Sequence, residues 1–210
     1  MSRIRLDGPR PVGTPPPGDT EEHRASVQIR TARTMVRLAE VDEAPGVLRY
    51  YLENRERLRA FDPERPPFFY EESFWRGQLQ QNQRDHLADR SLRLFIFRST
   101  DPDRIIGNIS FSNFVRGVGQ YCTLGYSLGG DAEGQGLMGE SLRAALAFAF
   151  RDLGFHRVEA SYMPHNLRSG KLLRRLGFSV EGYSRDYVRI AGRWEDHVRT
   201  ALINPDWRDA

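Results

Sequence analysis

Strand-like and helix-like stretches alternate along this chain, and the sharpest change between them falls in residues 124–154. Leu124-Gly125-Tyr126-Ser127-Leu128 is a short apolar run with aromatic content, which predicts a strand. Gly129-Gly130-Asp131-Ala132-Glu133-Gly134-Gln135-Gly136 then breaks it with four glycines. Leu137, Met138, Leu142, Ala145, Leu146, Ala149, Phe150 and Leu153 follow at the three-and-four spacing of an amphipathic helix, and Gly154 is its natural stop.

The flanking chain reads by the same rules. Residues 34–40 alternate as a strand, and Asp42 is expected to cap a helix carrying Val47, Leu48, Tyr51 and Leu52. Pro63, Pro66 and Pro67 make residues 61–69 a loop, after which residues 71–88 carry Phe74, Trp75 and Leu79 on one side of a second helix. Two helices after one strand suggest a cap over one edge of a sheet. Strands over residues 92–98, 104–115 and 120–128 form an antiparallel meander turned at Asp101-Pro102-Asp103 and at Arg116-Gly117-Val118-Gly119. Beyond the central helix come a strand over residues 158–163, Pro164, and a helix from Asn166 through Leu172, Leu173 and Leu176 to Gly177. The end is a hairpin, residues 178–190 and 194–202, turned at Ala191-Gly192. The sum is an α+β fold, a mixed sheet with helices on its faces.

Composition narrows the class. At 210 residues, 28% of them charged, one well-buried domain is the default. Residues 1–24 hold Pro9, Pro11 and Pro15-Pro16-Pro17 among glycines and charges and read as a disordered tail, which leaves residues 25–210 for the domain. The net charge of +3 comes from arginine scattered along the chain, with Lys171 the one lysine. That falls short of a basic stripe, and no aromatic-basic motif points to nucleic acid. Cys122 stands alone, which excludes an intramolecular disulfide and a cysteine metal site. His23, His86, His156, His165 and His197 show no ligand spacing, so no metal is expected. With no apolar run long enough to cross a membrane and no hydrophobic signal core, a cytoplasmic protein is expected.

The glycine-rich turn is the first candidate for chemistry. A turn that opens a helix leaves backbone N–H groups unpaired, backed by the positive end of the helix dipole, and an anion satisfies them together. Gly134, Gly136 and Gly139 let backbone approach a diphosphate, yet no lysine with Ser/Thr follows as in a nucleoside-triphosphate loop, and the dinucleotide spacing is off by one. A purely structural turn remains the other reading.

Taken in order, several segments resemble the GNAT superfamily of acyl-CoA-dependent N-acyltransferases, over roughly residues 30–207. They are Leu124-Gly125-Tyr126-Ser127-Leu128, Glu133-Gly134-Gln135-Gly136-Leu137-Met138, Tyr162-Met163-Pro164-His165-Asn166 with Ser169, and Leu176-Gly177-Phe178 before Glu181-Gly182-Tyr183. Arg185-Asp186-Tyr187, Gly192-Arg193-Trp194, Asp196-His197 and Pro205-Asp206-Trp207 are similar to the ribosomal-protein alanine N-acetyltransferases of the RimJ/RimL branch. The resemblance implies a mostly antiparallel twisted sheet with a splayed central pair of strands, and acetyl-CoA as cofactor. By it, the pantetheine arm lies along Tyr126, Ser127 and Leu128, and the diphosphate meets Glu133, Gly134, Gln135, Gly136, Leu137, Met138 and Gly139. Asn166 orients the coenzyme's amides, Ser169 supplies the acid for the leaving thiolate, and Lys171 reaches the adenosine 3′-phosphate. Without the resemblance, Asn166 and Ser169 read as a helix cap with a local hydrogen bond, and Lys171 as a solvated helix face. Asp131 stands where the family pattern has Arg or Gln, and Leu173 stands where many relatives carry a tyrosine.

The implied acceptor is the N-terminal α-amine of a protein, in the branch a ribosomal one, attacking directly in a ternary complex; a homodimer is left open. The strand that often carries a glutamate base offers only Tyr121, Cys122 and Thr123, and a water chain to Glu181 or Asp186 is the alternative. Neutralising an α-amine at pH 7 costs about 1.4 kcal/mol, against about 4.6 kcal/mol for a lysine, so a site without a strong base suits α-amines. Phe68, Phe69, Tyr70, Phe74 and Trp75 either wall an acceptor groove or pack the core. Competing readings are transfer to a small amine such as a polyamine or aminoglycoside, a CoA-binding regulatory module without turnover, and an RNA-associated protein.

Overall fold

A computed structural model describes residues 27–208. Its elements are β1 (Gln28–Arg30), β2 (Thr34–Arg37), α1 (Ala44–Glu53), α2 (Arg55–Arg59), α3 (Glu72–Leu87), β3 (Leu92–Arg98), β4 (Asp101–Val115), β5 (Tyr121–Leu128), α4 (Leu137–Arg151), β6 (Arg157–Tyr162), α5 (Leu167–Arg175), β7 (Ser179–Ile190) and β8 (Arg193–Ile203). The strands form one sheet in the order β1-β2-β3-β4-β5-β6-β8-β7. Every neighbouring pair is antiparallel except β5 with β6.

Strand β3 shows why the sheet is covered on both faces. Leu92, Leu94 and Ile96 join a core with α4 and α5, whereas Phe95 and Phe97 join a second core with α1 and α3. Alternating side chains of one strand thus fill two layers. In the second core Tyr51 stacks on Trp75 with ring centroids 4.7 Å apart, and the Trp75 indole N–H donates to the Phe69 carbonyl at 2.9 Å.

The mixed sheet, the meander and the final hairpin agree with the sequence reading, and Ala191 and Gly192 turn that hairpin with φ of 46° and 83°. Three details differ. Asp42 is not a helix cap: it sits inside a 3₁₀ turn, Val41–Glu43, where the Glu43 carboxylate accepts from the Glu40 N–H at 2.8 Å. Asp101, Pro102 and Asp103 belong to β4 instead of a turn; register shifts between Ile96 and Arg98 absorb the irregularity there. The short edge strand β1, with one apolar residue, escaped the pattern altogether. The tail read over residues 1–24 lies outside the described residues. Among the described residues no helix is long and apolar enough to cross a membrane.

Candidate active site

Strands β5 and β6 run together only briefly. Tyr121, Cys122 and Thr123 pair with Arg157, Val158 and Glu159, and there the ladder ends, while β5 continues to Leu128. Ladder parity shows which backbone groups this leaves open. Gly129 donates to the Ile106 carbonyl at 2.7 Å, so in the β4–β5 register the bonded pairs are those of Ser127 and Gly125. The N–H and C=O groups of Tyr126 and Leu128 therefore point the other way, into the splay. The Leu128 carbonyl accepts from Arg57, and the unpaired groups that remain invite an amide-bearing ligand to complete the ladder.

Side chains follow the same alternation. The Ser127 hydroxyl turns to the α1 face, where it lies 2.8 Å from the Tyr50 hydroxyl and accepts from Asn108 Nδ2 at 2.6 Å. Tyr126 turns to the α5 face, and its hydroxyl lies 2.8 Å from Ser169 Oγ. Burial pushes the Tyr126 hydroxyl up to about 12, against the smaller downward pull of its bond to Ser169. Ser169 is fixed a second time, since its N–H donates to Asn166 Oδ1 at 3.1 Å. Asn166 is thus the N-cap of α5, and its Nδ2 has no partner among the described residues, so capping and coenzyme contact are compatible. Leu173, at the position matched to a tyrosine, is buried in the core and offers no proton.

Gly170 brings α5 close to β6. A Cβ there would lie 2.7 Å from the outer edge of the half-buried Tyr162 ring, so in Gly170→Ala either that ring turns aside or the helix, and Ser169 with it, shifts from Tyr126. Overpacking of this kind costs about 1–3 kcal/mol. A lowered melting temperature together with slower release of CoA is expected; thermal denaturation and a thiol assay check it.

At the end of β5, Gly130–Ala132 form a 3₁₀ turn, and Gly134 and Gly136 then take φ of 73° and 77°. The first α4 bond runs from the Glu140 N–H to the Gly136 carbonyl. Backbone N–H groups of Gly134 through Gly139 have no protein acceptor among the described residues, and a Cβ at Gly134 would meet nothing within 4 Å. This open row of amides at a helix start fits a diphosphate. Arginines engage the acids nearby. Asp131, the departure from the family pattern, lies 3.1 Å from Arg104; Glu140 lies 2.7 Å from Arg33; Glu133 is held by Arg57 and, at 2.6 Å, by Arg168. The Thr31 hydroxyl and then Arg33 hold the Glu140 carboxyl below its ordinary value. Arg98 adds a bond to Gln135 Oε1 at 3.0 Å.

Lys171, expected at the adenosine 3′-phosphate, lies on another face of α5 than Ser169. On α5, Ser169 faces Tyr126 and Leu172 approaches Gly139, whereas Lys171 lines a cavity of about 430 Å³ with Leu167, Arg174, Val180 and Val198. Arg168 stands at the loop instead. Glu181 is bound by Arg157, which holds its carboxyl below the ordinary range. Phe74 and Trp75 pack in the second core, while Phe69 and Tyr70 also line a cavity of about 280 Å³ beside α2. Sequence reasoning missed the arginines and the Tyr126 hydroxyl as the partner of Ser169.

Splayed strands, an amide cradle and a hydroxyl pair between them define an acyltransferase of the kind the resemblance implied. The acetyltransferase (GNAT) domain model matches residues 33–179. The [ribosomal protein uS5]-alanine N-acetyltransferase of Escherichia coli (strain K12) is 45% identical over 183 residues, covering 86% of this chain and 93% of that protein. A crystal structure of ribosomal-protein-S5-alanine acetyltransferase from Vibrio fischeri superposes with a TM-score of 0.83 at 31% identity, covering 87% of this chain and all of that one. Mycobacterium smegmatis RimJ, solved in complex with CoA-disulfide, shares the fold with a TM-score of 0.78 at 21% identity, over 88% of this chain and 90% of that one. The chain belongs to the GNAT family of N-acetyltransferases.

Proposed function

We propose that this enzyme transfers an acetyl group from acetyl-CoA to the N-terminal α-amine of a ribosomal protein, by direct attack in a ternary complex. The observation that carries the reading is the union of an open amide row at Gly134–Gly139 with the unpaired backbone of Tyr126 and the Leu128 N–H, one suited to a diphosphate and the other to pantetheine. The 45% identity to the uS5-alanine enzyme supports the acceptor class. Bound acetyl-CoA supplies the acetyl thioester. Gly134, Gln135, Gly136, Leu137, Met138 and Gly139 hold its phosphates by backbone N–H, with Glu133 kept in place by its arginines, and Asn166 Nδ2 contacts the arm. The Leu128 N–H faces the splay and donates where negative charge grows on the thioester oxygen. Tyr126 donates to Ser169 Oγ, which leaves the serine's own proton for the departing sulfur; the proton that the nitrogen sheds on becoming an amide passes to water, from which the hydroxyl pair is reprotonated. The cavity beside α2 receives the acceptor peptide.

A panel of peptides starting with Ala, Ser and Met, set against polyamines and aminoglycosides, tests the reading through CoA release, with Ser169→Ala as control. Peptides starting with Ala are expected to lead; a preference for the small amines, or no release at all, would overturn it. The pH profile adds an independent check. Only the neutral amine attacks, so kcat/KM should rise about tenfold per pH unit below about 8 and level off above it. Because Tyr126 is pushed up to about 12, it stays protonated and imposes no fall below about pH 11. A rise that continues to about 10.4 would mean a lysine acceptor instead.

A further inference from the structure

Arg57 reaches the coenzyme half of the site from a helix whose neighbouring residues wall the other half. It lies on α2, whose Arg55, Leu58 and Arg59 line the cavity beside Phe69 and Tyr70. Its guanidinium donates to the Leu128 carbonyl and to the Glu133 carboxylate, and the side chain is one-third exposed. Leu128 ends β5 with its carbonyl in the splay, and Glu133 opens the amide row. From the far side Arg168 of α5 holds the other Glu133 oxygen at 2.6 Å. Asn54, at the joint of α1 and α2, accepts from the Gly130 N–H at 2.9 Å and donates to the Tyr50 carbonyl at 2.8 Å. A Cβ on Gly130 would come within 3.4 Å of Arg57 Cδ, so the loop start lies directly against this side chain.

We propose that Arg57 is a positioning residue that couples the two substrate sites, a step that rests on reading the cavity beside α2 as the acceptor site. A guanidinium forks onto a carbonyl and a carboxylate at fixed geometry, which a lysine does not reproduce. When the coenzyme settles on Leu128 and the loop, the groups Arg57 grips are held still, and α2 is held with them as a wall of the cavity. By reciprocity the acceptor, in ordering α2, strengthens the grip on the coenzyme.

Calorimetry with coenzyme A and an unacetylated Ala-starting peptide reads this directly, since each binds without reaction. In the wild type the peptide should bind about 5- to 10-fold tighter once CoA is present. In Arg57→Ala that factor should fall below about twofold, the peptide KM should rise about tenfold, and CoA affinity alone should stay within about threefold. Glu133→Gln, which keeps the shape but not the charge, should lose most of the same coupling. Arg57→Lys should likewise keep CoA affinity within about threefold without the coupling, and it carries the test if melting curves show that Arg57→Ala does not fold. Wild-type coupling in these variants, or a loss of CoA affinity with the peptide KM unchanged, would overturn the proposal. A wild type that turns over peptide yet shows no coupling sinks this inference alone, whereas one that releases no CoA with peptide removes the acceptor reading beneath it.

Discussion

Ser169→Ala should lower kcat by about 100-fold while leaving coenzyme affinity within about threefold, because positioned proton donation contributes on the order of 10²–10⁴-fold. Tyr126→Phe should lower kcat by about tenfold, less than the serine change, since Tyr126 acts through Ser169 at 2.8 Å. The double variant should fall no further than Ser169→Ala alone, because two groups in one chain of hydrogen bonds are not additive. Single-turnover CoA release and CoA binding, measured on all three, separate proton supply from binding. A product of the two single effects in the double variant would show that the hydroxyls act independently. Ser169→Cys offers a contrast, since a thiol there retains a donor and should recover part of the rate, whereas a purely structural hydroxyl would give no recovery.

Much of this site was legible because its signals are local. The strand, the glycines and the helix of residues 124–151 are contiguous, and Asn166 caps α5 three residues before Ser169, so pattern and motif sufficed. The place of Lys171 on α5 follows from the same rules. Two positions along a helix turn a side chain by about 200°, so Lys171 cannot share a face with Ser169, while Leu172 can flank it. The arginines were not legible at all. Arg33 reaches Glu140 across 107 residues and Arg57 reaches Glu133 across 76, and nothing local distinguishes them among the other arginines. Tyr126 and Ser169 are separated by 43 residues, so their contact follows from how α5 packs over the splay. Asp131 shows the same limit from the other side. In sequence it is an acid on an anion-binding turn, and only the fold supplies Arg104 beside it.

Substitution at the two left-handed glycines of the loop should separate backbone strain from loss of the ligand. Gly134→Ala and Gly136→Ala each force a residue with a Cβ into φ above 70°, which costs about 1–2 kcal/mol of stability in both variants. Their surroundings differ. A Cβ at Gly134 meets nothing within 4 Å, whereas one at Gly136 approaches Arg33 Nη2 at 3.5 Å, in ordinary contact. Neither clashes severely with protein, so both variants should fold with similarly lowered melting temperatures. Coenzyme affinity is a separate matter, because a methyl on Gly134 enters open space on the loop that is read as holding the diphosphate. Losing one charge-assisted bond of about 1.5–3 kcal/mol corresponds to roughly a 10- to 150-fold loss of affinity, and Gly134→Ala is expected to lose at least that. CoA titration calorimetry beside thermal melts makes the comparison. If Gly134→Ala bound CoA as tightly as the wild type while melting lower, the glycines would be serving the turn alone, and the diphosphate would have to lie elsewhere.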